Sequence, residues 1–355
     1  MIEGSDIRLL ARRALAYAES RLPSPARTSS TRRFEASVRI LLPGLSDAAA
    51  GRLYQCHRRS MQQSRLLRTH LAQLPRPALA QFLDRQVDVE GAEVLDLVKS
   101  DDRPVVFVTP HYGHYTVSCL KLIQSIGMHK TVNAFYDPPQ ETRGSERFED
   151  LFSRLGFGFN ALFNDNAAVL RALRVLKRRE ALTMMPDIFD LSGRVIYVPF
   201  FGRLMPAMAG TALFALKSEA RVVIGYNIPS RGWRSTLRVL EPIEYAATGC
   251  LDSDISNLTA LIFRRIEDQI RVLPEHWDYL GRIGHFLSGQ LELGGRDQPE
   301  AWLATLRGVA PRVDALWPAL ARALQDVASF QEQATRAFAV APAATGSRPG
   351  AGSGA

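Results

Sequence analysis

Short apolar runs alternate along this chain with stretches in which apolar residues recur every three or four positions. Val105-Val106-Phe107-Val108 is unbroken and rich in β-branched residues, and it reads as a buried strand. Residues 131–135, 157–162, 181–185, 195–200, 222–228 and 237–240 read as extended in the same way. Helical spacing predicts helices over 5–22, 34–42, 46–73, 115–126, 146–155, 166–178, 210–219, 258–272 and 300–338, with short helical pieces over 79–82 and 87–98. Pro23, Pro25, Pro43-Gly44, Pro75, Pro77 and Pro274 punctuate the pattern, because proline has no N–H for the next turn or ladder. Strands alternating with helices from about 100 to 290 argue for an α/β core. The chain divides into a basic helical region over 1–99, the α/β core over 100–292, C-terminal helices over 293–340 and an Ala/Gly/Pro/Ser tail over 341–355 that is expected to be disordered.

Composition agrees with a globular protein: 46% of the 355 residues are apolar and 23% charged, enough to bury a large core. Cys56, Cys119 and Cys250 are too far apart for a metal-ligand pair and too few for an even disulfide set, so a reducing compartment is expected. No secretory signal and no membrane-spanning run is predicted. Charge changes the picture more. Residues 1–85 carry fifteen arginines, no lysine and six acids, so the whole net charge of +8 resides in the first quarter of the chain. Such a segment suits anionic lipid or an acidic carrier protein, or is a solvated helix surface; no nucleic-acid-binding module accompanies it. The helix over 5–22 can lie on a membrane or on its own core.

Candidate chemistry sits at strand ends. After Val108 the chain reads Thr109-Pro110-His111-Tyr112-Gly113-His114-Tyr115-Thr116, a strand, a sharp turn carrying histidines, and a helix. Ligands and reacting groups collect at strand ends in open α/β sheets, and an imidazole there can take a proton near neutral pH. Met185-Pro186-Asp187 repeats the arrangement: apolar strand, proline, ionisable residue. No dinucleotide fingerprint, G-x-S-x-G elbow or H-E-x-x-H pattern is present, so neither a metal nor a cofactor is expected.

From about 104 to 287 the chain resembles the lysophospholipid acyltransferase superfamily, nearest the late acyltransferases of lipid A biosynthesis. His111 sits where that family has the histidine of H-x-x-x-x-D/E, and Met185-Pro186-Asp187 followed by Val198-Pro199-Phe200-Phe201-Gly202 is similar to its Asp turn and V-P-F-F-G block. Residues 209–220 and 222–224 resemble its small-residue helix and following strand, and 274–282 its P-E-Q-Y-x-W-x-x-R stretch. The resemblance implies a glycerol-3-phosphate acyltransferase-like mixed sheet flanked by helices, with an added N-terminal helical region. It implies transfer of a fatty acyl group from acyl-ACP or acyl-CoA, the co-substrate, to a hydroxyl or amine of a lipid acceptor; a polyene acyl group or a specialised-metabolite acceptor is a separate reading, suited by the departure at Thr116. It also implies peripheral contact with the inner face of the cytoplasmic membrane. No N-terminal spanning helix of the kind common in that branch is expected.

One position departs from the family: the carboxylate due five residues after His111 is Thr116. A hydroxyl can hold a tautomer but cannot stabilise an imidazolium as an anion does. Thr116 is therefore either a partner of His111 or an early helix residue, and a catalytically altered binding or accessory protein is the alternative function. His111 is the expected base. His114 either orients it, replaces it or lies on the surface. Asp187 is the first candidate for the missing carboxylate, ahead of Asp190 and Glu146, or else an N-cap or turn residue. Arg147, Arg154 and Arg203 either receive an anionic group or are exposed. Phe200, Phe201 and Gly202 either shape an acyl groove or belong to the core.

Overall fold

The computed structural model describes residues 29–42, 44–136, 145–165, 167–187, 195–201, 203–230, 232–283, 291–292 and 339–340. The helix expected over 5–22, the tail over 341–355 and nearly all of 293–340 lie outside these residues; Ala339–Val340 pairs antiparallel with Leu291–Glu292. In chain order the elements are α1 (Ser29–Leu41), α2 (Asp47–Leu71), α3 (Arg76–Gln86), β1 (Val87–Glu90), α4 (Ala92–Ser100), β2 (Val105–Val108), α5 (Tyr115–Ile126) and β3 (Val132–Tyr136). There follow α6 (Ser145–Ser153), β4 (Phe159–Phe163), α7 (Ala168–Lys177), β5 (Ala181–Met184), β6 (Val195–Phe200), β7 (Arg203–Met208), α8 (Gly210–Ser218), β8 (Arg221–Pro229), β9 (Ser235–Val239) and α9 (Leu251–Val272).

The sheet has seven strands in the order β1-β9-β8-β2-β5-β3-β4, so β2 is its middle strand. All neighbours are parallel except β8 and β9, which form an antiparallel hairpin. All four residues of β2 are buried, as a strand covered on both faces requires. Its side chains alternate between two cores. Val106 and Val108 pack with α7, α8, α9 and the β6–β7 hairpin. Val105 and Phe107 pack with α2 to α6 on the opposite face. This is the α/β core that the alternation predicts and the mixed sheet flanked by helices that the resemblance implies.

Some boundaries differ from expectation. Residues 87–90 form a strand, not helix: Val87-Asp88-Val89-Glu90 has a period of two and pairs in parallel with β9. The sheet therefore begins before residue 100, where the basic helical region was expected to end. Helix α9 starts at Leu251, seven residues earlier than its apolar stripe suggests, and β7 pairs with β6 in a hairpin that periodicity did not separate.

The register of β2 against β5 decides what the strand ends bring together. Val108 lies opposite Met184, and the N–H of Thr109 donates to the carbonyl of Met184 at 2.9 Å. Counting three residues beyond each partner reaches His111 and Asp187. The stretch from His276 to Asp278, which follows α9, straps the histidine turn: Gly113 N–H donates to His276 O at 2.8 Å, and Asp278 N–H to His111 O at 2.9 Å.

Gly113 is required there for two reasons. Its φ is +63°, in the left-handed region, and a Cβ would stand 2.2 Å from the carbonyl oxygen of Asn227 in β8. Gly113→Ala is expected to destabilise the protein by about 2 kcal/mol or more and to displace His111. Gly51→Ala in α2, where no atom lies within 4 Å of the added Cβ, is expected to be neutral or slightly stabilising. Urea unfolding of both variants checks this; a Gly113→Ala protein as stable as Gly51→Ala contradicts it.

Candidate active site

Asp187 has no solvent-exposed surface, so an ionised carboxylate there needs donors. It has three. Oδ2 accepts from the backbone N–H of His111 at 2.9 Å and from the indole Nε1–H of Trp277 at 3.0 Å. Oδ1 lies 3.0 Å from His111 Nδ1, which donates to it. This holds the ring in the Nδ1–H tautomer and leaves Nε2 with its lone pair. The His111 side chain keeps 13% exposure, with the ring edges of Tyr115 and Tyr279 against it at centroid distances of 5.0 and 5.4 Å.

Burial by itself would lower the His111 pKa. The charge and hydrogen bond of Asp187, with Asp278 nearby, outweigh burial and raise it above the ordinary 6.5. The pair is thus suited to accept a proton at Nε2 and to stabilise the resulting imidazolium.

Trp277 is positioned by the hairpin and helix around it. It is fully buried, with Phe200 edge-on at 5.8 Å and Phe201 stacked at 6.5 Å. Phe201 has a positive φ of 50° at the β6–β7 turn, an uncommon conformation for a bulky residue. Its N–H donates to Glu267 Oε2 at 2.6 Å, and the Arg271 guanidinium lies 4.7 Å over its ring. Phe200 and Phe201 are 1% and 2% exposed, so they are core residues that support Trp277 and not walls of an open groove.

The other expected site residues fall as follows. Thr116 is buried in the first turn of α5, and among the described residues no hydrogen bond joins it to His111. The anion that supports His111 comes from the neighbouring strand end. His114 is not a surface residue: it is 2% exposed, its N–H donates to Asn227 Oδ1 at 2.9 Å, and its ring Nδ1 has no partner among the described residues. Arg154 donates to the carbonyls of Ala72 and Leu74 and pairs with Asp150, which closes the turn after α2. The backbones of Glu146, Arg147 and Arg203 are described in α6 and β7, but their side chains, together with Gly202 and Asp190, lie outside the described residues.

Periodicity gave no sign of Trp277 as a donor to Asp187, or of Tyr115 and Tyr279 as neighbours of His111. The signal available was the block Trp277-Asp278-Tyr279, whose side-chain types are unusual for a simple chain reversal. No group of three His, Cys, Asp or Glu side chains able to hold a metal ion occurs among the described residues.

Three histidines beside the turn are held in the neutral form. Burial is the main cause in each case, lowering His57 and His276 and taking His114 down to about 4. These bases protonate more readily in the unfolded chain, so their contribution is complete above pH 6.5 and is lost as pH falls below it. His111, with a raised pKa, contributes in the opposite sense: its share is present below pH 6.5 and lost as pH rises through its folded value. His114 alone accounts for about 3 kcal/mol of acid destabilisation near pH 4. His114→Asn is expected to flatten the fall in urea-unfolding stability between pH 6.5 and 4; an unchanged slope contradicts this.

No curated protein sequence matches the chain closely enough to report. A family model for bacterial lipid A biosynthesis acyltransferase matches residues 71–283, more than half of the chain, spanning the sheet, both strand-end turns and the strap through Trp277. That match makes the protein an acyltransferase of lipid biosynthesis: the chain belongs to the bacterial lipid A biosynthesis acyltransferase family.

Proposed function

We propose that the protein moves an acyl group from a thioester, carried by acyl carrier protein or CoA, to a hydroxyl or amine of an acceptor, with His111 as general base and Asp187 as its carboxylate. The observation that carries this reading is the hydrogen bond from His111 Nδ1 to a fully buried Asp187, which leaves Nε2 free at a strand end.

In the forward step His111 Nε2 takes the proton from the acceptor's O–H or N–H. The acceptor's electron pair forms a bond to the thioester carbonyl carbon, and the C=O pair moves to oxygen. On collapse the C=O bond re-forms and the C–S bond breaks, and the leaving thiolate takes the proton from imidazolium Nε2. Asp187 keeps its hydrogen bond to Nδ1–H throughout and stabilises the imidazolium. No cofactor is needed beyond the thioester.

A lipid acceptor, or a specialised-metabolite acceptor whose product is an ester such as a polyene ester, fits the same chemistry. No described helix is long and apolar enough to cross a membrane. Arg32, Arg33, Arg39, Arg52 and Arg65 are exposed on α1 and α2, which supports contact with anionic headgroups at the inner membrane face or with an acidic carrier protein. The accessory-protein alternative drew on the lack of a carboxylate at Thr116; Asp187 weakens that support.

Thioester consumption with a lipid acceptor tests the proposal. His111→Ala is expected to lower kcat by about 10²–10⁴-fold. The wild-type rate should rise with pH to a plateau, with a midpoint above 6.5, because only neutral His111 accepts the proton. In Asp187→Asn burial prevails, the midpoint should drop below 6.5, and the plateau should fall by about 10²-fold or more. Full turnover by His111→Ala, or none by the wild type with either donor, contradicts the assignment.

A further inference from the structure

Acyl transfer through a tetrahedral intermediate requires a donor for the developing oxyanion, often a pair of backbone N–H groups. Residues 111–114 of the histidine turn have none to offer. His111 N–H is committed to Asp187, Tyr112 N–H to Pro110 O, Gly113 N–H to His276 O and His114 N–H to Asn227 Oδ1. The indole N–H of Trp277 is committed to Asp187, and Arg154 to the carbonyls after α2.

Tyr115 differs. It opens α5 four residues after His111, is half-buried, and its ring meets the imidazole edge-on at 5.0 Å. Arg68, reaching across from α2, donates from Nη1 to the phenol oxygen at 3.1 Å, while its guanidinium lies 5.6 Å over the Phe148 ring. A guanidinium has only donors, so this bond occupies a lone pair of the phenol and leaves the hydroxyl proton unused. No acceptor takes that proton among the described residues. A cation donating to the oxygen also polarises the O–H bond and makes it a stronger donor. Burial raises the phenol's pKa while Arg68 opposes the rise, so the hydroxyl stays protonated near neutral pH.

We infer that Tyr115 is a catalytic residue, its hydroxyl donating to the thioester carbonyl oxygen as that oxygen takes the C=O electron pair, and that Arg68 is the positioning residue that holds and polarises it. The phenol keeps its proton throughout; the hydrogen bond tightens on the oxyanion and relaxes when the C–S bond breaks. The inference rests on the acyl-transfer reading above.

Its test is kinetic, with acyl-CoA or acyl carrier protein as donor and His111→Ala as the inactive reference. Tyr115→Phe is expected to lower kcat by about 10²–10³-fold, the effect typical of one lost oxyanion donor, with donor KM and unfolding midpoint nearly unchanged. Arg68→Met should lower kcat in the wild-type background and add nothing further in Tyr115→Phe, as for residues acting as one unit. Replacing Tyr115 with 3,5-difluorotyrosine, whose ring ionises closer to neutrality, should introduce an alkaline loss of kcat that a merely structural phenol would not produce. Tyr115→Phe turning over within a few-fold of the wild type while His111→Ala is inactive overturns this inference alone. So does a fluorotyrosine protein with an unshifted alkaline limb. A wild type inactive with both donors overturns the acyl-transfer reading and this inference with it.

Discussion

A carboxylate with no exposed surface, held by three N–H donors, is the constraint on which the rest of the site depends. Removing such a charge from water is expensive unless its oxygens are satisfied. Asp187 meets that demand with the backbone amide and imidazole of His111 and the indole of Trp277. The imidazole is thereby oriented, with Nδ1 engaged and Nε2 left to take a proton. The same burial that would depress the histidine's basicity also strengthens the carboxylate's hold on it, and the second effect prevails.

Three layers of structure converge on that carboxylate. Parallel pairing of β2 and β5 places two proline turns side by side, so residues far apart in sequence arrive in register. The strap after α9 fixes the backbone of the histidine turn and delivers Trp277. The β6–β7 hairpin, pinned to α9 through Phe201 and Glu267, supplies the aromatic bed in which the indole lies. The resemblance would place the carboxylate five residues after the histidine, at Thr116 in the first turn of α5. Here that position is a buried threonine, and the anion comes from the next strand. Orientation and charge support depend on where the oxygens are, not on which segment carries them, so the same chemistry remains available.

Much of this was legible from residue pattern alone. Continuous apolar runs marked the buried strands because a strand covered on both faces has no polar side. The repeat of strand, proline and ionisable residue marked His111 and Asp187 as candidates before any geometry was known. What escaped has physical reasons. Val87–Glu90 is a four-residue edge strand whose alternation was too short to separate from a helical piece. His114 reads as a polar surface residue, but the tight turn at Gly113 carries it under the strap. Arg154 resembles an anion receptor, yet the carbonyls left open at the end of α2 take its donors. Trp277 contributes through one N–H across 90 positions of sequence, and no local pattern encodes such a contact.

Nitrogen-15 NMR of the His111 imidazole tests the central relation most directly, since it reads tautomer and pKa without any assumption about substrate. A neutral ring protonated on Nδ1, titrating above 6.5 in the wild type and below it in Asp187→Asn, is the predicted result. A ring protonated on Nε2, or a titration unmoved by the substitution, would contradict it.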